Sequence, residues 1–270
     1  MKINRKKVII CITICILIIN VIVICTVRKE NNSKENDNNN SSENIKQEEK
    51  SDDNKENIEN VVTFIKNKYS QYDYIVVNDG SKDRTADICR SKGYEMLNLP
   101  VNLGLAGAFQ AGLKYADTKG YSYAIQFDAD GQHRPEFIEP MLNRIKEGYD
   151  IVIGSRFINQ KKEKSLRMIG SKMLTVAIKI TTGKRVADPT SGMRMFSRKM
   201  IKEFAQNLNY GPEPDTVSYL LKNGAEISEV PVNMDERVAG ESYLNLTNAA
   251  KYMVKMLISI LFVQNFRKRG

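Results

Sequence analysis

"AIQFDADGQHRPEF", residues 124–137, runs from an apolar stretch straight into two acids, Asp128 and Asp130, with Gly131, Gln132 and His133 close behind. On a strand, residues two apart point to the same side. Asp128 and Asp130 are therefore expected to aim together at one point just past the end of a buried strand. Two close carboxylates repel each other unless a cation sits between them. Hard divalent cations prefer such oxygens. The plainer reading is two turn aspartates at a strand exit.

Three chemistries fit a stretch of this kind. A calcium loop fails on spacing: Glu139 falls at the twelfth position, but His133 occupies the glycine slot and Pro135 follows. A phosphoaspartyl hydrolase also opens with Asp-x-Asp-Gly after an apolar strand. It wants Thr or Val where Gln132 stands, and a later acidic pair that this chain does not show. The third is a metal-bound diphosphate, in which a carboxylate and Gln132 hold a cation that neutralises a leaving group. His133, the single histidine, is a further candidate metal ligand.

Outward from this stretch, helical and strand patterns alternate. "IENVVTFIKNKY" has helical spacing, and "YDYIVVND" is a β-branched run stopped by turn residues. "DRTADICRSKG" reads as a helix closed by Gly93, "YEMLNLP" as a strand, and "LAGAFQAGLKYADTKG" as a helix closed by Gly120. "YSYAIQFDAD", the helix "RPEFIEPMLNRIKEG" with Pro135 in its first turn, and the strand "YDIVIGSRF" follow. This rhythm predicts an α/β fold: a mostly parallel sheet with helices on both faces. Such sheets bind ligands beyond the carboxyl ends of their strands. "VVNDGS", "FDADGQ" and "IGSRF" all place polar residues there.

At the first exit, Asp79 can accept a hydrogen bond from a ligand N–H, and Ser81 is expected to cap a helix starting near Asp83. Arg156 and Arg167 suit bidentate phosphate contacts better than the nearby lysines do. Much of that basic run is expected to be a solvated face. "DPTSGMRMFSRK" sets Asp188, Ser191, Gly192 and Arg194 in an apolar context, as a polar loop returning to the site. Glu213 and Asp215 precede a helix, where the dipole favours acids; they suit a general base equally.

Residues 8–27 are 20 apolar or near-apolar residues without a charge, enough to span a bilayer. "ICTVRKE" offers no signal-cleavage site. Residues 1–29 are therefore expected to be a retained transmembrane anchor. Residues 30–57, rich in Asn, Ser, Glu and Lys, are expected to be a disordered polar tether. The folded domain is expected over 58–246, followed by an apolar interfacial helix with a basic end over 247–270. Three of the four cysteines lie in the apolar segment, which leaves Cys89 and excludes a disulfide framework elsewhere. From residue 61 onward there are 31 Lys and Arg against 22 Asp and Glu. That surface suits anionic lipid or a phosphate-bearing substrate; nothing in the pattern points to nucleic acid.

Taken in order, "VVNDGSKDRT", "NLGLAGAFQAG", "FDADGQH", "IGSRF", "DPTSGMRMF" and "GPEPDT" resemble a family-2 glycosyltransferase of the GT-A type, of the polyprenyl- or dolichyl-phosphate mannosyl- or glucosyltransferase sort. The resemblance covers about Asn57 to Gly270. It implies a GT-A nucleotide-sugar-binding fold and an inverting transfer from a nucleotide-diphosphate sugar, with Mg²⁺ or Mn²⁺, to a polyprenyl-phosphate lipid or cell-envelope acceptor. By position, Asp79 and Ser81 fall at the nucleotide-binding exit, Asp79 matching the base-contacting residue. Asp128, Asp130 and Gln132 match the metal and diphosphate group. Arg156, Arg167 and Arg194 match phosphate-binding arginines. Asp215, with Glu213 beside it, lies where inverting members keep their base; a lipid-phosphate acceptor needs none, and Asp215 then positions the sugar.

The sequence departs from the family at one place. The family opens with a strand like V-I-I-P-A-Y-N-E-E directly before the first helix, where this chain has its tether and apolar segment. The sheet is therefore expected to lack its central first strand, with weak or absent turnover. A non-catalytic descendant that binds a sugar nucleotide or membrane partner is the alternative. For topology, Lys2, Arg5, Lys6 and Lys7 before the anchor favour an exported domain. The location of nucleotide sugars favours a cytoplasmic one, which is the expectation adopted.

Overall fold

A computed structural model describes residues 8–12, 52–81, 84–127, 133–158, 166–207, 210–233 and 246–267. The chain lays down β1 (Val8–Ile12), α1 (Asp52–Lys68), β2 (Asp73–Asp79), α2 (Thr85–Ser91), β3 (Met96–Leu99), α3 (Gly104–Thr118) and β4 (Tyr123–Phe127). A 3₁₀ turn at Pro135–Phe137 leads into α4 (Ile138–Lys146), then β5 (Ile151–Ser155), α5 (Leu166–Thr182), β6 (Arg194–Ser197) and α6 (Arg198–Gln206). Last come α7 (Pro214–Lys222), β7 (Ile227–Pro231), α8 (Leu246–Leu261) and a 3₁₀ turn at Val263–Asn265.

Among the described residues seven strands make one sheet in the order β3-β2-β1-β4-β6-β5-β7. All neighbours are parallel except β6, which runs antiparallel between β4 and β5. β4 and β5 are buried along their whole length, as strands covered on both faces must be. On one face, α1, α2 and α4 contribute Ile58, Val62, Ile65, Ile88, Met141 and Ile145 to a core. On the other, α3, α5, α6, α7 and α8 close a second core around Phe109, Phe196 and Phe204, whose rings meet edge to face at 5.1–5.5 Å. The polar exits of β2, β4 and β5 thus share one edge of the sheet.

The expected gap in the sheet is not there. β1 sits between β2 and β4, with Ile10 opposite Tyr74 on one side and Ile125 on the other. Without it, β2 and β4 would leave two rows of backbone groups unpaired in the middle of a buried sheet. "VIICI" is β-branched and apolar, which suits such a central strand as well as it suits a bilayer. Val8–Ile12 of the expected anchor are therefore strand. Residues 1–7 and 13–29 of that anchor, and 30–51 of the tether, lie outside the described residues. The helix α1 begins at Asp52, so residues 52–57 are helix rather than tether. Among the described residues no helix is long and apolar enough to cross a membrane.

Candidate active site

Asp79 ends β2 and is fully buried. Its Oδ1 accepts the backbone N–H of Leu103 at 2.6 Å, which ties the β2 exit to the first turn of α3. Beside it, Asn78 donates to Asn98 Oδ1 at 2.6 Å, and Asn78 Oδ1 receives both the N–H and the hydroxyl of Ser81. Ser81 thus fixes the turn and does not cap α2, which starts at Thr85 without a side-chain cap. Gly80 is required twice. Its φ is +67°, and a Cβ there would lie 2.8 Å from the backbone nitrogen of Asn102. The turn and the β3–α3 loop therefore press backbone against backbone.

At the β5 exit, Arg156 donates from Nε and one terminal nitrogen to the two oxygens of Asp188, at 2.7 and 2.9 Å. Asp188 is fully buried and also accepts the Arg156 backbone N–H and the Thr190 hydroxyl. The backbone of residues 187 and 188 is clamped in turn, since Glu229 on β7 accepts the N–H groups of Ala187 and Asp188 at 2.7 and 2.8 Å. A planar guanidinium held on one edge keeps its other edge fixed in direction. Arg156 is about a third exposed, so it still meets solvent.

Arg194 is placed otherwise. It is 2 % exposed and donates to the carbonyls of Ser191 and Pro189 at 2.9 and 2.7 Å. Those bonds shape the 188–193 loop from within, so Arg194 stands in the scaffold rather than at an open phosphate-binding surface. Arg167 falls in the first turn of α5.

Glu213 and Asp215 flank Pro214 at the start of α7. Gly211, just before them, packs its backbone against Ala106 of α3, where a Cβ would stand 3.1 Å from that of Ala106. This brings the acids toward the loop that Asp79 holds. Glu213 accepts a short hydrogen bond from Tyr252 of α8. Burial pushes the Tyr252 phenol well above its ordinary 10.0, with the Glu213 charge and hydrogen bond adding to the rise. Asp215 accepts from Ser259 of α8 at 2.7 Å and from Gln264 at 3.0 Å. Arg267 bonds Gln264 and lies over the rings of Tyr210 and Tyr219. Both acids therefore anchor the carboxyl-terminal helix.

Asp128, Asp130 and Gln132 lie outside the described residues, directly after β4. Among the described residues no group of three His, Cys, Asp or Glu side chains could hold a metal. His133 packs edge-on against Phe127 at 5.4 Å and is buried. Sequence reasoning missed Glu229, Tyr252, Ser259 and Gln264. Their partners stand about forty or more residues away, and no spacing rule links them.

Residues 45–204 match the model of the family described as Glycosyl transferase family 2. The chain is 26% identical over 215 residues to a polyprenol monophosphomannose synthase of Mycolicibacterium smegmatis, covering 75% of this chain and 81% of the relative. It is 31% identical over 202 residues to a UDP-N-acetylglucosamine–dolichyl-phosphate N-acetylglucosaminyltransferase of Methanococcus voltae, covering 65% and 79%. Among solved structures, mannosyl-3-phosphoglycerate synthase from Rubrobacter xylanophilus superposes with a TM-score of 0.51 at 15% identity, over 73% of this chain and 65% of that one. That likeness shows a shared fold.

Proposed function

From the premise that this chain belongs to glycosyl transferase family 2 and is a glycosyltransferase, we propose that it moves a sugar from a nucleotide-diphosphate donor to a polyprenyl-phosphate lipid. The observation that carries this reading is the rigid Arg156 at the β5 exit, on the same sheet edge as the end of β4. A cation held along one edge by a buried carboxylate suits a phosphate that must be met in one orientation.

In this reading the donor lies across the carboxyl edge, with its base toward Asp79. Asp128, Asp130 and Gln132 offer two carboxylates and an amide oxygen beyond β4, a donor set that fits Mg²⁺ or Mn²⁺. When bound, the ion neutralises charge on the departing nucleoside diphosphate. An anionic oxygen of the acceptor phosphate attacks the anomeric carbon from the opposite face. The new C–O bond forms as the bond to the donor diphosphate breaks, with inversion. A phosphate carries negative charge at neutral pH, so no base need remove a proton. Glu213 and Asp215 are then free to serve as the structural seat of α8. Arg156 holds the acceptor phosphate, with Arg167 as the second candidate.

The reading as an impaired descendant drew on a missing central strand, and β1 removes that ground. The family's Pro-Ala-Tyr-Asn-Glu is still not found after it, where the sequence reads Thr13 to Leu17. The test is transfer of radiolabelled sugar from a panel of nucleotide sugars to a short-chain polyprenyl phosphate, with Mn²⁺ or EDTA. We expect organic-extractable label that EDTA and Asp130→Ala abolish. Donor binding with no transfer to any polyprenyl phosphate would sink the proposal.

A further inference from the structure

Nine of the twelve exposed large apolar residues among the described ones lie on α5, on α8 and in the turn after it. On α5 they form one stripe, Ile169, Met173, Val176 and Ile180, at the three- and four-residue spacing of a single helix face. On α8, Val254 and Ile258 stand one turn apart, and Phe262 follows. The two helices pack together, Gly170 admitting Met253 where a Cβ would be 2.8 Å away. Ile169 and Val254 are the immediate chain neighbours of that contact, so the stripes border the same seam. A hollow of about 730 Å³ along α8 is lined by Val254, Ile258 and Val263 together with Lys251 and Lys255.

Neither helix carries an acidic residue, while α5 has Arg167, Lys172 and Lys179 and α8 has Lys251 and Lys255. We propose that the α5–α8 face docks on an anionic lipid bilayer, apolar stripes in the interface and lysines at the headgroups. This rests on the lipid-phosphate reading above and gives its site a surface from which the acceptor arrives. Charge decides the occupant. A second copy of this chain would set lysines against lysines, whereas anionic headgroups answer both the charge and the apolar area. Tyr252 and Ser259, on the flank of α8 beside that stripe, bond Glu213 and Asp215. The docked helix therefore seats the site beside the headgroups.

The test is co-sedimentation of the full chain with vesicles of phosphatidylcholine alone or mixed with phosphatidylglycerol. Binding is expected on the anionic vesicles and to weaken with salt. Replacing Lys172, Lys179, Lys251 and Lys255 together by Gln should lower it on the order of a thousandfold, at roughly 1 kcal/mol for each lysine near the surface. Ile180→Ser with Val254→Ser should lower it by about tenfold, with circular dichroism and melting unchanged. Equal binding to both vesicle types, or binding that neither variant weakens, overturns the proposal. So does a dimer without lipid that the serine pair dissolves. Transfer to a short-chain acceptor without vesicles tests the enzymatic reading separately, so the two can fail independently.

Discussion

Asp188 grips Arg156 with both carboxylate oxygens, and its own backbone N–H is held by Glu229 from the neighbouring strand. Three residues on separate elements thus aim one guanidinium. Asp188→Asn keeps the shape but removes the charge, at about 1–3 kcal/mol because Arg156 is partly solvated. In transfer assays kcat/KM should fall roughly ten- to hundredfold, mostly through KM for the acceptor. Glu229→Gln, which cannot accept both N–H groups, should shift KM the same way but less. Unchanged KM in both variants would show that Arg156 does not meet the acceptor.

Ile10 pairs on both sides, so its N–H belongs to a central ladder. Ile10→Pro should cost about 3 kcal/mol or more, a drop of roughly 6–12 °C in melting temperature for a domain of this size. A melting curve that does not move would show that Val8–Ile12 is not in the sheet.

Asp215 is bonded to Ser259 and Gln264. If the acceptor is a phosphate, Asp215→Asn should leave kcat within about threefold, whereas loss of a true general base costs roughly 10²–10⁴. Steady-state kinetics with saturating acceptor separates the two.

Tyr252 is partly buried, with its phenol pKa raised by burial and by Glu213. A raised folded-state value stabilises the fold fully below the ordinary value of 10.0 and loses that stabilisation as pH climbs beyond it. Denaturant midpoints should therefore fall above pH 10, and Tyr252→Phe should lessen the fall. The same variant should cost about 1–3 kcal/mol at neutral pH, since Glu213 loses its donor. A pH dependence identical to the parent chain would count against the pair.

The strands β2, β4 and β5 were legible because each is a short apolar run ending in turn residues, and burial on both faces demands that pattern. β1 has the same composition but sits inside a longer apolar segment. Length alone favoured a bilayer helix over a strand. At the site, the strand exits were readable from polar residues breaking apolar runs. The role of Arg194 was not, because a formal charge says nothing of whether carbonyls from its own loop surround it. Ser81 was read as a helix cap, whereas its hydroxyl closes on Asn78 three residues back. The hold of α8 on Glu213 and Asp215 joins side chains 39 and 44 residues apart, a relation that only the folded chain creates.

The central place of β1 has a consequence for how the protein is made. Ile10 leaves the ribosome 115 residues ahead of its partner Ile125. At about 5–20 residues per second that is an interval of roughly 6–23 s, during which an apolar segment waits with at least one side unpaired. Chaperones and the membrane-insertion machinery both recognise such a segment. Whether a nascent chain becomes a seven-stranded enzyme is then a race between elongation to Phe127 and capture of residues 8–27. Slowing synthesis between Tyr74 and Phe127 with rare codons should shift the outcome toward capture.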